Sequence, residues 1–140
     1  MIALDTNLLI YAHRRGVPQH TAARRAIGDA LSQGAGGIAV QVLAEFWAVV
    51  THPASEGGAS KPAVAAAFVA ALTNAGLDVW MPASGFSARL LAMAESRGVT
   101  GPRVFDLQIA LTAAEAGATE IWTADRAFIS VPGLQVVNPL

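Results

Sequence analysis

Ile2-Ala3-Leu4-Asp5-Thr6-Asn7 is a short apolar run that ends abruptly in an acid, a hydroxyl and an amide. A strand covered on both faces reads this way, apolar throughout instead of alternating. Its apolar residues suit the middle of a parallel sheet. That leaves Asp5, Thr6 and Asn7 at the carboxyl edge, where open α/β sheets hold their ligands. A helix is expected to follow at once over Leu8 to Arg14, with Thr6 or Asn7 as its N-cap. Taken alone, the stretch supports two readings of Asp5 equally, as a cap for that helix or as part of a site.

Outward from it, apolar runs and helical periods alternate along the chain. Ala22, Ala23, Ala26, Ile27, Ala30 and Leu31 keep a 3.6-residue period after the Gly16-Val17-Pro18 break, so a second helix is expected there. Gly34 to Gly37 read as a turn and Ile38-Ala39-Val40 as a second buried strand. A helix from Val42 to His52 follows and stops at Pro53. The Gly-, Ser- and Pro-rich stretch Pro53–Ser60 reads as a loop. Pro62 opens a helix in which Ala63 to Leu72 carry no polar side chain, too short to cross a bilayer. Such a helix is expected to be buried within the domain or to meet another chain. Leu77–Met81 reads as a third strand. A helix with Phe86, Leu90, Leu91, Met93 and Ala94 at core spacing follows, then one from Pro102 to Ala116 with Val104, Leu107, Leu111 and Ala114 inward. Glu120–Thr123 and Leu134–Val137 close the series as strands. Trp47, Trp80 and Trp122 are expected in the core.

This alternation predicts an α/β fold: one three-layer domain over residues 1–140, with a mostly parallel central sheet flanked by helices. With 140 residues and 54% apolar content, the chain can bury a real core. Its formal net charge of −1 excludes a strongly basic nucleic-acid coat, so any polyanion must meet a local patch. The absence of cysteine excludes disulfides and thiolate metal sites, and no basic leader precedes the first strand. A cytoplasmic protein is the expectation.

Four acids stand out against this apolar background. If the first and fourth strands are neighbours where the strand order reverses, Asp5 and Asp125 leave the sheet side by side. Glu45 sits among Leu43, Phe46, Trp47 and Val50, where a carboxylate is costly without a partner. Asp106 comes early in the helix that feeds the fourth strand. Two such charges about 4 Å apart repel by roughly 4 kcal/mol at an effective dielectric near 20. A divalent cation removes that conflict. Oxygen ligands alone suit Mg²⁺ or Mn²⁺, which can activate water and stabilise an in-line displacement at phosphorus. His13, His20 and His52 lack metal-ligand spacing and read as structural. Arg103 and Arg126 flank two of the acids, as phosphate contacts or as ion-pair partners for them.

Leu4-Asp5-Thr6-Asn7, Leu43-Ala44-Glu45-Phe46-Trp47, Phe105-Asp106-Leu107-Gln108-Ile109-Ala110 and Thr123-Ala124-Asp125-Arg126-Ala127-Phe128 occur in the order seen in a known family. Over nearly its whole length the chain resembles the PIN-domain ribonucleases, more closely the VapC-type toxins of toxin-antitoxin pairs. That resemblance implies a PIN-like fold and Mg²⁺-dependent endonucleolytic cleavage of RNA. It makes Asp5, Glu45, Asp106 and Asp125 the metal-binding and catalytic acids, with Thr6, Asn7 and Thr123 as supporting polar groups. It also implies a cognate VapB-type antitoxin lying over the groove, and leaves room for a homodimer. Two rivals remain. A phosphoaspartyl hydrolase would want an acid where Asn7 stands, and a receiver-like domain a late Lys, whereas Lys61 is mid-chain. A non-catalytic interaction module would explain the alanine-rich helix but not why Glu45 and Asp106 are acidic.

Overall fold

A computed structural model describes residues 1–55 and 57–140. At its centre is β1 (Ile2–Leu4), in which Ala3 and Leu4 are shut off from solvent. On one side of it lies β2 (Gly36–Ala39), with Ile2 opposite Gly36. On the other lies β4 (Glu120–Trp122), with Ile2 opposite Glu120 and Leu4 opposite Trp122. β3 (Asp78–Trp80) and β5 (Gln135–Val137) take the edges, so the order is β3-β2-β1-β4-β5 and each pairing is parallel. The order therefore reverses between β1 and β4, the neighbours that the two strand-end acids require.

Six helices connect these strands among the described residues: α1 (Thr6–His13), α2 (His20–Ser32), α3 (Val40–Val50), α4 (Pro62–Asn74), α5 (Phe86–Ser96) and α6 (Arg103–Glu115). Right-handed crossovers from β1 to β2 to β3 require α1 to α4 on one face of the sheet. The reverse crossing from β3 to β4 puts α5 and α6 on the other. Packing of α1 on α2 and α3, and of α5 on α6, agrees with this layering. Leu4, Leu8, Leu9, Ile38, Val42, Phe46, Leu107, Ile109 and Ile121 form the fully buried centre. Each such side chain is worth about 1.5–3 kcal/mol in removed apolar surface.

Several sequence expectations are corrected. The first helix starts two residues before Leu8, and its N-cap is Asp5, whose Oδ1 accepts the Thr6 N–H at 2.7 Å. Gly36 and Gly37 are strand, not turn, and Val40 already begins α3. Two glycines hid the strand because β propensity is a side-chain property, and here the space above Gly37 belongs to the Trp80 ring. The helix through Ala63–Leu72 is not sandwiched. Only Ala65 is buried, with Phe68, Val69 and Leu72 leaning on the core, because alanine offers too little surface to demand cover. Ser60, which the run Ser60-Lys61-Pro62 suggests as its cap, does not cap it; the N-cap is Lys61. Leu91 is 68% exposed on α5 and Trp47 41% exposed on α3, so neither is core. The loop predicted over Pro53–Ser60 includes Glu56, which lies outside the described residues.

Candidate active site

The carboxyl edge of β1 and β4 gathers the polar residues picked out in the sequence. Asp5 continues the ladder, its N–H bonding to Trp122 O at 3.0 Å, and is 7% exposed. Its Oδ2 accepts from Thr123 Oγ1 at 2.7 Å and from Asn7 Nδ2 at 3.0 Å. Thr123, itself buried, also accepts from Asn7 Nδ2 at 2.9 Å and from the Asp125 N–H at 3.0 Å. Asn7 Oδ1 in turn accepts the Ala124 N–H at 3.1 Å. Thr123 is thus a hub that sets the first and last acids in one frame, and Asn7 ties the start of α1 to the exit of β4.

Glu45 reaches the same edge from α3. Its half-buried carboxylate accepts from Thr6 Oγ1 at 2.8 Å, which supplies the partner its apolar surroundings demanded. Asp106, in the first turn of α6, accepts at Oδ2 from Arg103 Nη1 at 2.8 Å and from the Ile129 N–H at 3.3 Å. The same Arg103 nitrogen lies 2.7 Å from Asp125 Oδ2, while Asp125 Oδ1 accepts the Ala127 N–H at 2.9 Å. Arg103 is therefore an ion-pair partner of two acids. Arg126, its companion in the sequence reading, is exposed and makes no ion pair among the described residues.

The electrostatics follow this division. Burial pushes the Asp5 carboxyl above its ordinary value, opposed by its hydrogen bonds from Thr123 and Thr6, while the charges of Asp106 and Asp125 add to the rise. Glu45 is also raised, first by burial, with Asp5 and Asp106 contributing and the Thr6 hydroxyl opposing. Asp125 moves the other way, because Arg103 holds its carboxylate in the charged form. The Arg103 guanidinium is raised by the same two acids, Asp125 first.

The four acids thus lie along one edge, with Asp5 within reach of the charges of Asp106 and Asp125, and Glu45 within reach of those of Asp5 and Asp106. Among the described residues, however, no group of three His, Asp or Glu side chains forms a ready-made metal cage. Each carboxylate is drawn to its own donor: Glu45 to Thr6, Asp5 to Thr123, Asp106 and Asp125 to Arg103. The donor set fits a hard divalent ion such as Mg²⁺. Such an ion takes oxygen ligands, keeps several waters and needs only one or two carboxylates directly. A guanidinium already stands where two of these carboxylates require positive charge.

Sequence reasoning missed Gln41, which donates from Nε2 to Thr112 Oγ1 at 3.0 Å across the α3–α6 seam and leaves its buried Oε1 without a partner. No periodicity or motif marks such a pair. Arg14 ties the end of α3 to the loop that follows it, through Val50 O at 3.0 Å and Gly58 O at 2.8 Å. Away from the acids, α1, α2 and α4 enclose a concavity of about 540 Å³ lined by His13, Arg15, Arg24, Phe68 and Leu72 among others.

A parallel sheet with acids at its topological switch point defines an α/β protein whose polar groups gather where such sheets hold their ligands. Residues 2–134 match the PIN domain family, and the chain belongs to it. No curated protein matches the chain significantly by sequence. Among solved structures, the Mycobacterium tuberculosis toxin VapC20, which cleaves the Sarcin-Ricin loop, is 15% identical with a TM-score of 0.66, covering 94% of this chain and 98% of that one. A chain of VapBC2 from Rickettsia felis, bound to a DNA fragment from their promoter, is 21% identical with a TM-score of 0.67, covering 99% of this chain and 98% of its own. At these identities the likeness is one of fold.

Proposed function

We propose that this chain is a metal-dependent endoribonuclease that hydrolyses RNA phosphodiester bonds, the VapC-type toxin of a toxin-antitoxin pair with a VapB-type antitoxin as its partner. The observation that carries the reading is the meeting of Asp5, Glu45, Asp106 and Asp125 at the β1–β4 edge of a PIN-family fold. Similarity of fold to VapC20 and to a VapBC2 chain supports the toxin assignment. The whole chain, 1–140, acts as one nuclease domain. Its site of action is the cytoplasm, where RNA is available; no helix among the described residues is long and apolar enough to cross a membrane.

In this reading Asp5, Glu45, Asp106 and Asp125 hold Mg²⁺, or Mn²⁺ in its place. The ion supplies activation of water and charge compensation at phosphorus. The chain's own contribution is orientation. Thr123 and Asn7 fix the Asp5 carboxylate, Thr6 fixes Glu45, and the Ile129 and Ala127 N–H groups fix Asp106 and Asp125. Arg126, exposed beside Asp125, is free to meet a substrate phosphate.

The test is to incubate the purified chain with mixed RNA in Mg²⁺, in Mn²⁺ and in chelator. Discrete cuts that need the ion are expected. Cutting that persists in chelator, or none in preparations free of a co-purifying small protein, refutes the metal-nuclease reading and returns the chain to the interaction-module alternative.

A further inference from the structure

We propose that Arg103 is a displaceable internal counter-cation that competes with the divalent ion for Asp106 and Asp125; the proposal rests on the metal-dependent reading above. One nitrogen, Nη1, stands 2.8 Å from Asp106 Oδ2 and 2.7 Å from Asp125 Oδ2. Nη1 occupies the place beside both carboxylate oxygens, so an ion held by Asp106 and Asp125 would have to exclude the guanidinium there. Asp5 and Glu45 are held by neutral donors instead, so the resting positive charge is confined to this half of the site.

The geometry also makes the guanidinium removable. The Arg103 side chain is 41% exposed at the first residue of α6, so it can swing to solvent by side-chain rotation without moving the helix. Its departure does not release the acids. Asp106 Oδ2 keeps the Ile129 N–H at 3.3 Å, and Asp125 Oδ1 keeps the Ala127 N–H at 2.9 Å. Two oriented carboxylates are then open to an ion, and a planar fork suited to a phosphate is freed at the rim. When only a fraction of molecules has the site clear, the apparent affinity for the ion falls by that fraction.

The experiment titrates the full chain with MnCl₂, following free Mn²⁺ by electron paramagnetic resonance, in wild type, Arg103→Gln and Arg126→Gln. Arg103→Gln is expected to bind Mn²⁺ about fivefold more tightly than wild type. Arg126→Gln, which removes the same charge from an unpaired neighbour, is expected to change the affinity less than about twofold. Thermal melts give a second readout: Arg103→Gln melts below wild type in EDTA, and saturating Mn²⁺ closes the gap. Equal or weaker binding by Arg103→Gln overturns the competition, as does an equal gain in Arg126→Gln, which marks a general field effect. Should Arg103→Gln not fold, the guanidinium N–H resonances of Arg103 in unaltered protein decide. The readout is taken at its Nη1 protons, which the two acids hold: they are expected to exchange slowly without Mg²⁺ and rapidly with it, and no change overturns the proposal. Failure of both wild type and Arg103→Gln to bind Mn²⁺ overturns the metal reading itself, and this inference with it.

Discussion

Asp5 shows why a single residue could not be assigned from its neighbours alone. It is the N-cap of α1 and a member of the acid cluster at once, since Oδ1 takes the Thr6 N–H while Oδ2 faces Thr123 and Asn7. The acids were legible because carboxylates inside apolar runs are improbable without a purpose. Arg103's pairing with the acids was one of the two readings open to it, and Thr123 was expected in support. That one Arg103 nitrogen serves both Asp106 and Asp125, and that Thr123 joins Asp5 to Asp125, were not legible, because both depend on the path of the chain after β4. Asp5→Asn is expected to abolish RNA cleavage, by about a hundredfold or more in kcat, since a neutral amide cannot offset a cation. Its stability should stay within about 1 kcal/mol of wild type: relief of buried charge is countered by setting an NH₂ against donors it cannot accept from. Chemical denaturation without metal, beside a cleavage assay, checks both halves. The pH dependence follows from the same groups. Asp5 and Glu45 have raised folded values, so what they add to stability is full below their unfolded values, near pH 4, and is lost as pH rises through the raised ones. Asp125 is lowered, so its share is present above that range and lost as pH falls. Metal-free melting curves should therefore show Asp5→Asn gaining on wild type from acid toward neutral pH. A constant difference between the two would refute the assignment.

Among the elements, β2 was misread, and of the two readings of α4 burial within the domain fails, for an opposite reason. In β2 the glycines conceal a strand whose missing side chains make room for a tryptophan from β3. A methyl group at Gly37 would overlap the Trp80 ring, which is wedged beside the sheet and is not a flexible tip. Gly37→Ala is expected to cost about 1–3 kcal/mol in urea unfolding, against little for Gly16→Ala, where nothing stands in the way. In α4 the apolar residues promised burial that alanines do not enforce. The helix is fastened through Phe68, stacked on Phe46 with ring centroids 5.3 Å apart, and both rings meet the His13 imidazole edge-on at 4.9 and 5.4 Å. His13 Nε2 also lies 2.8 Å from Ser60 Oγ, just ahead of α4. Burial, with Arg14 nearby, lowers the His13 pKa, so its contribution is present above its unfolded value near 6.5 and lost as pH falls. Proteolysis in the segment between α3 and α4 is expected to quicken from pH 7.5 to 5.5 in wild type. In His13→Gln it should be insensitive to pH over that range, and equal acceleration in both would refute a role for His13 in holding the start of α4.

For the whole molecule, strand order decided more than any single element. Placing β4 beside β1 brings residues 5 and 125 together, an order that the alternation of strands and helices with right-handed crossovers allowed without requiring it. Where the basic residues spend their charge did not follow, and it bears on how RNA is held. The chain has a formal net charge of −1, and its basic residues are eight Arg and Lys61. Arg14 is committed to carbonyls of the loop after α3, Arg89 to Glu115, Arg97 to Ser130 O, and Arg103 to two acids. Arg15 and Arg24 line the concavity away from the acids. Arg126, and Arg103 once displaced, are the cations that flank the acids, so phosphate contacts at the site should be few. Two or three contacts to a single strand give a slope near −1.4 to −2.1 for log K against log salt, at about −0.7 each. Raising salt fourfold should thus weaken RNA binding by roughly tenfold, measured with Asp5→Asn so that the substrate survives the titration. A slope steeper than about −4 would mean that RNA runs across a basic surface beyond the acid edge, with Arg15 and Arg24 as the residues to substitute next.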